Sequence, residues 1–229
     1  METILAYLPA LLSGAVATIY ITFLSMAIAL VLGLFIALGR RSHLRPVRWA
    51  LRAYVDFMRG TPLLLQLFYI YYVFPYIGIR MPALLAGVLG LSLNYAAYLS
   101  EVYRTSIDAI GIGQIEAARA LGLRPRHAFS KVVFPQALRI AVPPIGNYFI
   151  AMFKDTALVA VISVKELMFT ADQLSSTTYQ YLIIYSTTFV IYYLISYPAS
   201  MLVAHLERRM RRNDRVLKPE AGQLLGGHV

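Results

Sequence analysis

Five stretches of this sequence lack the alternation of polar and apolar positions that an element on the surface of a soluble protein shows. They run from Leu8 to Leu38, Pro62 to Ile79, Pro82 to Tyr103, Pro144 to Val164 and Tyr179 to Ala204. Crossing the hydrocarbon core of a bilayer as a helix takes about 20 apolar residues. Such helices also satisfy their own backbone N–H and C=O groups, which lipid cannot do. The pattern predicts an all-α integral membrane protein with five transmembrane helices. The first run is about 30 residues long, more than a bilayer needs, so part of it should tilt or stand clear of the lipid. The second is short, with room to extend back toward Tyr54. Pro62, Pro82 and Pro144 head three of the runs, which suits the first helical turn, where the missing N–H costs nothing. No internal repeat or low-complexity tract interrupts the 229 residues. Residues 1–229 therefore read as one membrane domain with a core at about 10–210 and a cytoplasmic tail at 206–229. The end of that tail, Lys218 to Val229, is expected to be a solvated segment.

Composition supports lipid as the surroundings. Hydrophobic residues make up 59% of the chain and charged ones only 14%, against about a quarter charged in a soluble domain. Mean hydropathy is +0.64. A formal net charge of +10 would suggest nucleic acid in a soluble protein, but here the basic residues sit between apolar runs and nucleic acid is not an expected partner. Six arginines lie between residues 40 and 59, six basic residues between 104 and 139, and six more between 208 and 218. Only Arg80 and Lys165 fall on the opposite side, and Lys154 lies inside a run. Cytoplasmic segments carry the Lys and Arg excess, which puts the N-terminus out and the C-terminus in. The start of the chain has no basic region and no small-residue cleavage site, so the first run is expected to stay as a span. With no cysteine, disulfide and thiol chemistry are excluded.

The longest polar connection, between the third and fourth runs, carries the most specific pattern. Residues 114 to 121 are strong helix formers, with Ile115, Ala118 and Leu121 or Leu123 near one face. Gly122 stands where a helix should stop, because glycine accepts the left-handed conformation cheaply. A second short amphipathic helix, about Arg126 to Val133, is expected to run into Pro135. Two short helices joined at a glycine make an elbow with an Ala-rich face that admits close approach of a partner; an ordinary surface helix pair would look similar. Glu116-Ala117-Ala118, three residues, Gly122, nine residues, an apolar residue, two more and Pro135 resembles the E-A-A loop of bacterial ABC importer permeases. Val132 and Phe134 replace the usual isoleucine and leucine and keep both positions apolar. The resemblance implies that this loop is the coupling helix, with Glu116, Ala117, Ala118, Gly122 and Pro135 seating it in a cytoplasmic ATP-binding subunit dimer. It further implies a second permease subunit, identical or homologous, an extracytoplasmic solute-binding protein, and a multi-pass place in a bacterial inner membrane. No cofactor belongs to this chain; ATP and magnesium would be held by the partner.

Four other segments narrow the group: Arg59 to Leu63, Gly90 to Tyr98, Glu101 to Arg104 and Lys154 to Leu158. They resemble permeases for polar amino acids such as histidine, glutamine, arginine and cystine. Ile77 to Ala86 and Asn147 to Lys154 are also similar to permeases for ectoine-type compatible solutes. Asn94, Lys154, Asp155 and Thr156 are the candidate substrate pathway. An amide at the depth of Asn94 needs a partner, which interhelical hydrogen bonding or solute supplies equally well. Lys154 and Asp155, near the middle of the fourth run, should not face lipid. Neighbours on a helix point about 100° apart, so each needs a separate partner: another span, the second subunit, cavity water or a zwitterionic solute. Thr61 is placed to cap the helix begun by Pro62. Asp56 with Arg59, and Glu101 with Arg104, are spaced to pair. Tyrosines of runs two and five, among them Tyr69, Tyr72, Tyr185 and Tyr192, belong to aromatic belts or line a cavity.

Other classes fit less well. The sequence holds no G-x-x-x-x-G-K-[ST] loop, so the chain has no phosphate cradle with which to hydrolyse ATP. Its four histidines are scattered, giving no metal-ligand cluster. A self-sufficient secondary carrier would show inverted repeats with interrupted helices in both halves. An intramembrane enzyme would need more at membrane depth than Lys154 and Asp155.

Overall fold

A computed structural model describes residues 2–216, and these are helical with no strand among them. In chain order the helices are α1 (Glu2–Gly39), α2 (Arg45–Gly60), α3 (Leu63–Phe68), α4 (Ala83–Asp108), α5 (Ile112–Ala120), α6 (Pro125–Ala128), α7 (Phe134–Asp155), α8 (Leu167–Thr178) and α9 (Tyr181–Val216). The expected solvated segment, Lys218 to Val229, lies outside the described residues. Four helical segments are long and apolar enough to cross a membrane: Ala6–Gly39, Ala83–Asp108, Pro125–Ile162 and Tyr181–Arg209. The second expected span is a shorter apolar helix, Leu63–Ile77. It reaches about 22 Å at 1.5 Å per residue, and it is irregular: α3 passes into a π turn at Tyr69–Val73 and a 3-10 turn at Phe74–Ile77.

That irregularity has a local cause. The Phe74 N–H donates to the Tyr69 carbonyl five residues back, one residue before Pro75. A second π turn, Phe129–Val133, does the same before Pro135, with Phe134 N–H donating to the Phe129 carbonyl. A proline ring in a regular helix collides with the carbonyl four residues earlier; one wide turn relieves the collision and lets the helix continue. Pro135 therefore does not end a helix, and Pro144 does not begin one: it lies with Pro143 inside α7. The elbow expected between two short helices is one-sided. From Pro125 to Asp155 the chain is one uninterrupted helix, closed by a 3-10 segment at Thr156–Ile162.

The core forms where α1, α4 and α7 meet. Ala29, Gly33 and Ala37 share one face of α1 at four-residue spacing, and a Cβ on Gly33 would lie 3.0 Å from Leu99 Cβ and 3.1 Å from the Ala96 carbonyl. Small residues allow such close approach, and dispersion with short hydrogen bonds then supplies the attraction that water cannot. Ser92 bridges the same interface, donating to the carbonyls of Val88 (2.6 Å) and Ser25 (3.2 Å).

Helix α8 has no counterpart among the expected elements. It starts at Glu166, which is fully buried. One carboxylate oxygen accepts from the Phe169 N–H at 2.8 Å, capping the helix; the other accepts from Thr18 of α1 (3.2 Å) and from the Tyr192 hydroxyl of α9 (2.7 Å). Glutamate is not among the preferred N-caps, so pattern alone did not mark this start. Residues in the left-handed region, Ser163 (φ 64°) and Tyr179 (φ 58°), bracket α8. Gly14 lets α1 pass beneath it: a Cβ there would meet Leu167 Cα at 2.9 Å and the Glu166 carbonyl at 3.0 Å. Gly14→Ala should lower stability by roughly 1–3 kcal/mol, the usual cost of overpacking, read as an earlier thermal midpoint of the detergent-solubilised chain. An unchanged midpoint would mean that α8 is not held against α1.

Candidate functional site

Between α2 and α3 the helix is broken at Gly60-Thr61-Pro62, and beside that break lies a cavity of about 470 Å³. Arg59, Gly60, Thr61, Pro62 and Leu63 form one wall, Asn94, Tyr95 and Tyr98 of α4 a second, and Tyr148, Ala151 and Asp155 of α7 a third. The last two walls are helical faces: 94 and 98 are four apart, and 148, 151 and 155 follow the three-and-four spacing.

The break is stitched by side-chain amides. Gln66 donates to the carbonyls of Met58 (2.9 Å) and Thr61 (3.2 Å) and to the Thr61 hydroxyl (2.8 Å). Asn94 donates to the Gln66 side-chain oxygen (3.0 Å) and to the Met58 carbonyl (3.1 Å). Thr61 does not cap α3; its hydroxyl donates back to Phe57 of α2 at 2.8 Å. Tyr54 holds α2 to α4 by donating to the Leu93 carbonyl at 2.7 Å. Burial pushes that hydroxyl up to about 12, so it stays a donor throughout the physiological range.

Two opposite charges reach the cavity. Asp155 accepts a 2.6 Å hydrogen bond from Tyr95, and Tyr148 packs edge-on against Tyr95 and tilted against Tyr98. The Arg59 guanidinium lies over the Tyr98 ring, 5.5 Å from its centre, and 3.9 Å from Glu101. It does not pair with Asp56, its expected partner. Glu101 does pair with Arg104, at 2.8 Å, and also with Arg40 at the end of α1; Asp108 binds Arg104 (3.1 Å) and Arg41 (2.7 Å).

Of the four candidate pathway residues, Asn94 and Asp155 meet at this cavity. Lys154 lies exposed outside it, its side chain with no ion pair or hydrogen bond among the described residues. Thr156 is fully buried and donates to the Phe153 carbonyl at 2.7 Å, where α7 tightens into the 3-10 segment. The cavity tyrosines come from α4 and α7; those of runs two and five, left open between aromatic belts and a cavity, do not line it. Sequence reasoning missed Arg59, Tyr95, Tyr98, Tyr148 and Gln66 as site residues; the helical spacing of 94, 98 and 101 and of 148, 151 and 155 was the available signal.

The coupling-loop candidates lie between α5 and the first turn of α7. Glu116 and Ala117 are exposed on α5, and Ala118 is buried against the bundle. Gly122 has φ 75°. The Leu123 N–H donates to the Ala118 carbonyl and the Gly122 N–H to that of Arg119, the paired bonds of a Schellman ending. Pro135 is exposed in the first turn of α7. Ile112 and Leu121, 72% and 82% exposed, leave the two ends of α5 apolar and uncovered.

The profile of binding-protein-dependent transport system inner membrane components matches residues 29–212. This chain belongs to that family. A probable amino-acid ABC transporter permease of Sinorhizobium fredii is 40% identical to this permease component over 199 residues, covering 87% of this chain and 86% of that protein. An L-cystine transport system permease of Bacillus subtilis is 38% identical over 208 residues, covering 90% and 89%. The crystal structure of an amino acid ABC transporter with histidines superposes with a TM-score of 0.86 at 39% identity, covering 91% of this chain and 97% of that one. An inward-facing methionine ABC transporter shares the fold, with a TM-score of 0.74 at 21% identity.

The amide network makes a direct prediction. Gln66→Leu leaves the Thr61 carbonyl and one Asn94 N–H without partners, and should destabilise this permease component by roughly 1–2 kcal/mol. Thermal unfolding in detergent measures it; wild-type melting would show that the break is held by packing alone.

Proposed function

We propose that this chain is the permease subunit of an ABC importer that carries a polar amino acid or a related zwitterionic solute across the bacterial inner membrane. The observation that carries the reading is the cavity at the broken helix, where the Arg59 guanidinium and the Asp155 carboxylate reach one space walled by three tyrosines. A solute bearing a carboxylate and an ammonium matches one cation and one anion, and tyrosine hydroxyls serve either end. The amino-acid permeases of Sinorhizobium fredii and Bacillus subtilis support this solute class. An ectoine-type solute is not favoured, because the relatives named are amino-acid permeases.

In this reading two permease subunits stand side by side, a cytoplasmic ATP-binding dimer seats on α5, and an extracytoplasmic binding protein delivers the solute. ATP and magnesium are held by the ATP-binding subunits. Lys154, exposed and unpaired at the end of α7, meets the second permease subunit or the moving solute. The short helix Leu63–Ile77 completes five crossings, because its two flanking segments, at residues 40–60 and 78–82, carry very different basic loads. The arginine-rich end faces the cytoplasm.

Radiolabelled amino-acid uptake in cells expressing the whole transporter tests the site. Asp155→Asn should assemble with the ATP-binding subunit yet lose about tenfold or more in uptake, a factor of ten for each roughly 1.4 kcal/mol of lost interaction. Gly122→Asp has open space for its side chain but needs a left-handed backbone, at roughly 1–2 kcal/mol. It should insert normally and fail to hold the ATP-binding subunit on pull-down. Normal uptake by both variants would refute the assignment of cavity and loop.

Topology has its own measurement. Single cysteines at Arg48 and His127 should resist impermeant thiol reagents in intact cells, while one at Arg80 or Gln173 should react. External labelling at position 127 would reverse the orientation.

A further inference from the structure

Helix α2 has three faces. Leu51, Tyr54, Val55 and Met58 point inward, with Val55 fully buried. Trp49, Ala53 and Phe57, at four-residue spacing, form a second face that no part of the described chain covers; Trp49 is 74% and Phe57 61% exposed. Arg45, Arg48 and Arg52 form a third, with Asp56 the one acidic residue on it. The neighbouring arginines Arg40, Arg41 and Arg59 all reach carboxylates of α4. Arg45, Arg48 and Arg52 make no ion pair or side-chain hydrogen bond among the described residues.

The position of the helix is fixed. Leu51 lies against Gly39, the last residue of α1, so closely that a Cβ there would sit 2.5 Å from Leu51 Cδ1. Tyr54 is tied to Leu93, and Arg59 to Glu101. Helix α2 thus starts at the arginine-rich end of the bundle, where Leu51 meets the last residue of α1, and runs on to Leu93 and Asn94 of α4.

We propose that α2 is an interfacial helix that selects anionic lipid, with Trp49 and Phe57 among the acyl chains and Arg45, Arg48 and Arg52 on the headgroups. The chemistry asked of the occupant is amphipathic: apolar against Trp49, negative within one helical radius of it. An acidic soluble protein would answer the arginines and leave Trp49 and Phe57 in water; a second copy of this chain would bring more arginines to the same stripe. A bilayer holding anionic phospholipid answers both faces together, and the aromatic pair suits the headgroup level. The proposal is independent of which solute crosses.

Trp49 is the only tryptophan in the chain, so its fluorescence reports on α2 alone. The full-length protein would be reconstituted in phosphatidylcholine bilayers containing brominated lipid, which quenches indole on contact. Brominated phosphatidylglycerol should quench Trp49 with an apparent affinity about fivefold higher, or more, than brominated phosphatidylcholine, fivefold being the gain expected from one arginine near the headgroups. The preference should shrink as salt is raised on the unmodified chain. It should vanish in the Arg45→Ala, Arg48→Ala, Arg52→Ala variant while quenching itself persists. Equal quenching by the two lipids in the unmodified protein overturns the headgroup selection. Quenching by neither overturns the lipid contact and assigns the Trp49 face to protein.

Discussion

A carbonyl or N–H left open in hydrocarbon finds no water to bind, so each interruption of a membrane helix must be closed by the protein itself. This chain interrupts its helices at Thr61-Pro62 and between Thr156 and Glu166, and widens them without a break at the two π turns. At the first break Gln66 and Asn94 take up the carbonyls of Met58 and Thr61. At the last, Tyr72 donates to Val161 from the short helix (3.1 Å), while the Thr18 hydroxyl accepts from the Leu167 N–H (3.2 Å) and Glu166 caps α8. These polar side chains bind irregular backbone, and irregular backbone at this depth lies against protein or lines a cavity. The cavity follows from the first break: without Gly60-Thr61-Pro62 turning the chain, α2 and α3 would form one rod and close the space between α4 and α7.

Much of this was legible in the sequence, for a physical reason. The long apolar runs were readable because lipid exposure demands apolar residues all round a helix, a signal summed over twenty positions. Gly122 was readable because a left-handed helix ending calls for glycine, and it stands at φ 75°. The interruptions were harder. A proline inside a helix looks the same in sequence as a proline that starts one, so the pattern marks Pro144 as a beginning when it lies inside α7. Helix α8 escaped because its cap is Glu166, whose merit depends on Thr18 and Tyr192, 148 and 26 residues away. No local pattern holds that information. The same limit applies to Arg59, which was matched to Asp56 one turn away when its ring and carboxylate lie on α4.

The continuity of α6 and α7 bears on how a soluble motor could act on a site inside the membrane. From Pro125, beside the glycine ending of α5, the helix runs without a break to Asp155 at the cavity. Helix α4 makes the same journey in reverse: Tyr95 and Tyr98 at the cavity, then Glu101, Arg104 and Asp108 in one ion network, then Ala109, Ile110 and Gly111 before α5 begins. Both rods join the cavity to the loop, and both are tied across their lengths, α4 by Arg40 and Arg41 in the turn after α1 and α7 by Tyr95 through Asp155. A displacement of α5 therefore reaches both rods through only three or four non-helical residues on each side. Packed helices shift between discrete arrangements more readily than they bend. Such a shift would pull the Asp155 wall against the Tyr95 wall, and the groups that separate are those that line the cavity. The weak point in this linkage is the π turn at Phe129–Val133. There the hydrogen-bond ladder already widens to five-residue spacing, and so motion at the loop and motion at the cavity can come out of step there.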